Sequence, residues 1–193
     1  KLAEFCQVAA EGGAVVTLGG ADYSTYASVL ELHQVTRELH PDLGITLPAD
    51  IKRTERDLHS LARAAARVRI GIGADPAPSR IGYRKEHDKS LALVRCLRIL
   101  YESRARPMVA SHDARIIEIA QELARRNHRS PSDHEFQMSY GVRPLEQRRL
   151  VDIGLTCRTN IPFGPSWYEH LTTRIITRPH KLWIYLRALF DKR

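Results

Sequence analysis

A chain of 193 residues, 43% apolar and 27% charged, has the length and balance of about one globular domain with a single core, and no apolar run in it approaches the roughly 20 residues of a membrane span. Its formal charge of +8 is spread along the whole chain and interleaved with acids, without a strip of basic and aromatic residues, which favours a solvated surface over a nucleic-acid-binding one. Cys6, Cys96 and Cys157 are scattered, odd in number and without C-x-x-C spacing, so a disulfide framework and a zinc site are both disfavoured and each cysteine reads as a small core residue.

The first predicted element is a helix over Leu2 to Glu11 ending at Gly12 and Gly13. Ala14 to Leu18 reads as a buried strand closed by Gly19 and Gly20. Apolar residues at helical spacing run from Tyr23 to Leu39, and the strand Leu43 to Leu47 is stopped by Pro48. Thr54 to Arg67 is an Ala- and Leu-rich helix, followed by the strand Val68 to Ile72. A loop from Asp75 to Tyr83 contains Pro76 and Pro78. Lys89 to Ser103 is helical, Pro107 to Ser111 is a strand, and Asp113 to Asn127 is an amphipathic helix with Ile116, Ile117, Ala120 and Leu123 on one face. The strand Glu135 to Met138, the helix Pro144 to Ile153 and the strand Thr156 to Ile161 complete the alternation. A last helical region is expected from Pro165 to Phe190, interrupted at Pro179.

Six strands alternating with helices, at roughly 30 residues per unit and with no hairpin signal, predict an α/β chain with a parallel sheet. The physics leaves two architectures open: a doubly wound open sheet, or a (β/α)₈ barrel with about six of its eight units present. No G-x-G-x-x-G opens any helix, which weighs against the dinucleotide-binding form of the open sheet.

A resemblance decides between them. His134-Glu135-Phe136-Gln137-Met138 with Tyr140-Gly141, then Arg158 to Asn160, Ile161-Pro162-Phe163-Gly164 and Trp167-Tyr168, resembles the C-terminal end of the proline dehydrogenase family. Ala110-Ser111-His112-Asp113 is similar to the family's Ala-Thr-His-Asn/Asp strand, and Val68-Arg69-Ile70 with Gly73-Ala74 to its Arg-Leu-x-Lys-Gly-Ala-Tyr segment. The similarity runs to about Pro179. It implies a single TIM-like barrel domain over 1–193, equivalent to the C-terminal two-thirds of the family's domain, with 165–193 as a terminal helical region over the barrel mouth. It also implies FAD as cofactor and a small-molecule amine as substrate. An open barrel would expose edges at Val15 to Leu18 and Arg158 to Ile161, so a missing N-terminal segment or a partner chain is expected to cover them. The expected location is the cytoplasm, with room for peripheral contact at a membrane.

The resemblance places Arg69 near flavin N5, as the catalytic and cofactor-binding residue, because a fixed positive charge there stabilises the reduced ring. It assigns Gly73, Ala74, His112, Glu135 and Gln137 to cofactor binding. For Glu135 and Gln137 the residues themselves leave three partners open: flavin, substrate or a structural network. Arg174, His170, Asn160 and Asp75 fall at substrate-binding positions.

The pattern also departs from the family. Thr173 and Arg174 stand where two adjacent arginines grip the substrate carboxylate, and Pro48-Ala49-Asp50 replaces Gln-Ala-Tyr. Gly19 and Ala21 stand at acidic positions, Ile72 at a lysine, and Asp75, Asn160 and His170 at tyrosines. Two functional readings follow: a flavoenzyme oxidising proline or a related cyclic or secondary amine, or a catalytically lapsed member with a binding or regulatory role.

Overall fold

The computed structural model describes residues 1–19, 23–73 and 77–165. Within them, α1 (Leu2–Glu11), β1 (Thr17–Leu18), α2 (Tyr26–Arg37), β2 (Gly44–Pro48), α3 (Thr54–Arg63) and β3 (Arg67–Gly71) are followed by α4 (Glu86–Tyr101), β4 (Arg106–Ala110), α5 (Ala114–Arg126), β5 (Glu135–Ser139), α6 (Pro144–Asp152) and β6 (Cys157–Asn160). The expected terminal helical region, with Trp167, Tyr168, His170, Thr173 and Arg174, lies outside the described residues. So do Gly20, Ala21, Ala74, Asp75 and Pro76.

All six strands form one parallel sheet in the order β1-β2-β3-β4-β5-β6. Right-handed crossovers between sequential neighbours put every helix on the same side, whereas a doubly wound sheet must reverse its order somewhere to cover both faces. The sheet therefore curls as a half-barrel, with its helices outside and a concave face inside. Ile45, Leu47, Val68, Ile70, Val109, Phe136 and Met138 point outward into one core with Leu58, Leu61, Leu93, Leu97, Leu100, Ile117 and Ala120 of the helices. Alternation along each strand then sends the intervening residues to the concave face.

Several boundaries differ from the expected ones. The helix expected to reach Arg67 stops at Arg63: Ala65 adopts a left-handed φ of 51° and Ala66 N–H bonds back to the Leu61 carbonyl, so Arg67 opens β3 instead. The strand expected from Ala14 shrinks to Thr17–Leu18, because β1 pairs only with Gly44 and Ile45. The described part of the 75–83 loop, from residue 77 on, is anchored by an antiparallel bridge between Ile51 and Gly82. Asp113, expected inside α5, is its N-cap, accepting a hydrogen bond from Arg115 N–H at 2.9 Å.

The sheet ends in β1 and β6, the two edges expected from the sequence, and Ile161 (67% exposed) and Phe163 stand in the open just beyond β6. Cys6 and Cys96 are buried and Cys157 is partly so; all three are free thiols. Among the described residues no helix is long and apolar enough to cross a membrane, and no cluster of His, Cys, Asp or Glu has the makings of a metal site.

Two histidines give the fold a pH dependence. His33 is fully buried with one ring nitrogen on the Leu43 carbonyl at 3.0 Å, and His134 is wedged edge-on between Tyr101 and Phe136. Burial lowers the pKa of both below the ordinary 6.5. The unfolded chain then binds more protons than the folded one once pH drops below about 6.5, so stability is full above that value and declines beneath it. Thermal melts from pH 7.5 to 5 are expected to show a falling Tm, with a shallower fall in His134→Phe. A Tm that rises toward pH 5 would contradict this.

Candidate functional site

The concave face carries two register rows that matter. In one, Thr46, Arg69, Met108 and Glu135 stand side by side on β2 to β5. In the next, toward the C-terminal strand ends where barrels place their chemistry, come Pro48, Gly71, Ala110, Gln137 and Arg158. Pro48, Gly71 and Ala110 rise no further than a ring or a methyl. This leaves a low apolar shelf over three strands, buried at Pro48 and Gly71 and half-buried at Ala110. Gly71 has no room for more: an added Cβ would meet the Ala110 carbonyl oxygen at 2.7 Å and its Cβ at 3.1 Å.

Beside the shelf lies a continuous chain of polar side chains. Arg69 Nε donates to Gln137 Oε1 at 2.6 Å, Gln137 Nε2 donates to Glu135 Oε1 at 2.6 Å, and Arg158 Nε donates to Glu135 Oε2 at 2.7 Å. Of the three partners the sequence left open for Glu135 and Gln137, the network is the one visible here. Arg69 is half-buried rather than enclosed, with its guanidinium at the foot of the shelf. Arg67, absent from the sequence-based candidates, is a third cation on this face, 9% exposed and bonded to the Asp42 carbonyl at 3.0 Å. Desolvation lowers its pKa, opposed by the nearby Glu135 charge.

The strand ends are tied down by side chains. His112 Nε2 accepts from Ser139 N–H at 2.9 Å, which places the ring proton of a neutral imidazole on Nδ1 and locks the end of β4 to the end of β5. Arg143, in a left-handed conformation (φ 52°) at the start of α6, donates to the His112 carbonyl at 2.9 Å. Gln147 of α6 donates to the Ser139 and Val142 carbonyls. Asp50 is buried and accepts from Gly73 N–H at 2.6 Å, while its own carbonyl accepts from Tyr83 N–H. That acid therefore fixes the loop after β3. A side chain at position 73 would press on it, with Asp50 Oδ1 only 2.9 Å from an added Cβ.

Of the remaining predicted residues, Ile72 packs against the apolar core. Asn160 is exposed at the end of β6, and its carbonyl accepts from Tyr140 N–H. Ala74, Asp75, His170 and Arg174 lie outside the described residues. Arg158 was quoted in the sequence only as part of a motif. Its parity on β6, one residue from Cys157 opposite Phe136, was the available signal that it shares the concave face with Gln137.

A cavity of about 380 Å³ opens at the other, N-terminal end of the strands, lined by Arg67, Arg106, Met108, His134, Glu135 and Arg158 among others. Its walls are strand starts and charged side chains. It forms the floor of the half-barrel, opposite the end where barrel enzymes act.

The geometry has close counterparts. Over its whole length the chain superposes on proline utilization A from Bdellovibrio bacteriovorus with a TM-score of 0.84 and 22% identity, covering 23% of that chain, a likeness of fold. In sequence it is 26% identical over 185 residues to "Proline dehydrogenase 1" of Bacillus subtilis subsp. natto, covering 96% of this chain and 61% of the relative. It is 24% identical over 192 residues to "Proline dehydrogenase 2" of Bacillus subtilis strain 168, covering 63% of that protein. In sequence and in fold the chain is similar to proline dehydrogenases. No family model matches it. The chain thus spans about three fifths of the length of these curated proline dehydrogenases, and its half-barrel is a partial form of the proline dehydrogenase barrel.

Proposed function

We propose that this chain is the flavin-facing part of an oxidoreductase that removes a hydride from proline or a related cyclic or secondary amine, with FAD as acceptor. The observation that carries the reading is Arg69, a half-buried cation aimed by Gln137 beside the low Pro48-Gly71-Ala110 shelf. A planar ring system needs such a shelf, and a ring that gains negative charge on reduction needs a fixed cation at its edge. The residues present therefore fit FAD. Arg69, Gly73, Ala74 and His112 would hold it, with Glu135 and Gln137 acting through Arg69. When bound, FAD would accept the hydride leaving the carbon next to the amine nitrogen, the nitrogen giving its proton to solvent as the imine forms.

The chain's own residues would do the rest. Arg69 would supply positive charge, the shelf would exclude water from the reacting face, and the Asp50-anchored loop would set the rim through Gly73. Arg174, His170, Asn160 and Asp75 would grip the substrate, and 165–193 would close the mouth of a single domain spanning 1–193. A missing segment or partner would cover β1 and β6.

A second reading, a lapsed member that binds without turnover, is favoured by Ile72 and Asp50. Ile72 packs into the core and Asp50 is committed to the loop backbone, so neither presents a polar group to a ligand ring.

Uptake of FAD tests the shared premise. The purified chain mixed with FAD and desalted is expected to retain a yellow chromophore with flavin absorbance. A colourless protein after that treatment would overturn the flavin reading.

A further inference from the structure

The polarity of the concave network fixes its own geometry. An ionised Glu135 can only accept and a guanidinium can only donate, so with Arg69 on one side and Glu135 on the other, the Gln137 amide has a single workable orientation: oxygen to Arg69, nitrogen to Glu135. Glu135 is 8% exposed, and a buried carboxylate needs a cation. Arg158 provides it at 2.7 Å from the neighbouring strand β6. Arg158 and Arg69 share no hydrogen bond, yet every bond between them requires the one before.

We infer that Arg158 is a positioning residue that sets the direction of the Arg69 guanidinium through Glu135 and Gln137. The inference rests on the flavin reading only for the purpose of that aim; the coupling itself belongs to the protein alone. Without Arg158, another cation that acts on Glu135 is Arg67, at the start of β3 and on the floor side of the network. Glu135 then turns toward Arg67 and releases Gln137 Nε2. The amide is free to rotate, its NH₂ group faces a donor-only guanidinium, and the Arg69 Nε–H loses its acceptor. The edge strand β6, whose outer side carries no strand among the described residues, thereby bears on the orientation of a group two strands away.

The Nε–H group of Arg69 reports this directly in ¹H–¹⁵N spectra of the 193-residue protein, its signal being assigned by its disappearance in Arg69→Lys. In the native chain it is expected to be sharp and displaced from the position of solvated arginines. In Arg158→Gln it should shift toward the solvated position and exchange with water at least tenfold faster, with Arg158→Lys restoring part of the shift. Glu135→Gln, which keeps the side-chain volume, should release the signal as Arg158→Gln does. An Arg69 signal unmoved in both Arg158→Gln and Glu135→Gln overturns the inference. Because no flavin is needed for this readout, a protein that takes up no FAD would sink the proposed function without touching the coupling, and the converse holds equally.

Discussion

Arg69→Ala is expected to slow reduction of bound flavin by an amine substrate by about 10²- to 10³-fold, the usual consequence of removing one fixed group that stabilises developing negative charge. The fold should survive, because Arg69 is half-buried on the concave face and the apolar core lies on the opposite side of β3, with Val68 and Ile70. Some stability is lost: Gln137 Oε1 gives up the donor it has at 2.6 Å, a loss of about 1 kcal/mol for a half-buried group. Single-turnover reduction followed by flavin absorbance, together with circular dichroism, separates the two effects. A variant that reduces its flavin at the native rate would mean that Arg69 is a framework residue of the network and nothing more.

The largest effect on stability is expected at Phe136. It is 1% exposed on β5 and stacks edge-on with His134 at 5.8 Å between ring centroids; His134 in turn meets Tyr101 at 5.5 Å. Phe136→Ala removes a ring that the backbone of a central strand cannot collapse around, and is expected to destabilise the chain by about 3–5 kcal/mol in urea titrations. Phe163 supplies the control. Fully exposed beyond the edge strand, its replacement by Ala should shift stability by no more than about 0.5 kcal/mol. Equal losses at the two positions would mean that Phe163 is covered in solution.

Much of this architecture was legible in the sequence because its signals are local. Alternation along Glu135-Phe136-Gln137-Met138 separates the concave face from the core, and Phe136 and Met138 are buried as that period requires. The start of β3 was not legible. Ala64, Ala65 and Ala66 are strong helix formers, and the chain leaves the helix there through a left-handed alanine, for which no glycine gives notice. Asp50 read as the loss of a family residue, and only the fold shows that its carboxylate holds Gly73 N–H. His112 was readable as a polar residue at a strand end, but its partner, Ser139 N–H, is 27 positions away and depends on the β4–β5 register. Arg158 is the clearest case. Its pairing with Glu135 joins residues 23 positions apart, so a pattern read one strand at a time does not contain it.

The departures from the family and the retained polar network point in different directions, and turnover decides between them. The most direct test is anaerobic addition of proline, and then of other cyclic secondary amines, to the FAD-loaded protein. The expectation is that at least one of these amines bleaches the flavin absorbance and that the flavin of Arg69→Ala is bleached far more slowly. A protein whose bound flavin is bleached by dithionite but by none of the amines would contradict it, leaving a flavin-binding barrel that no longer oxidises them.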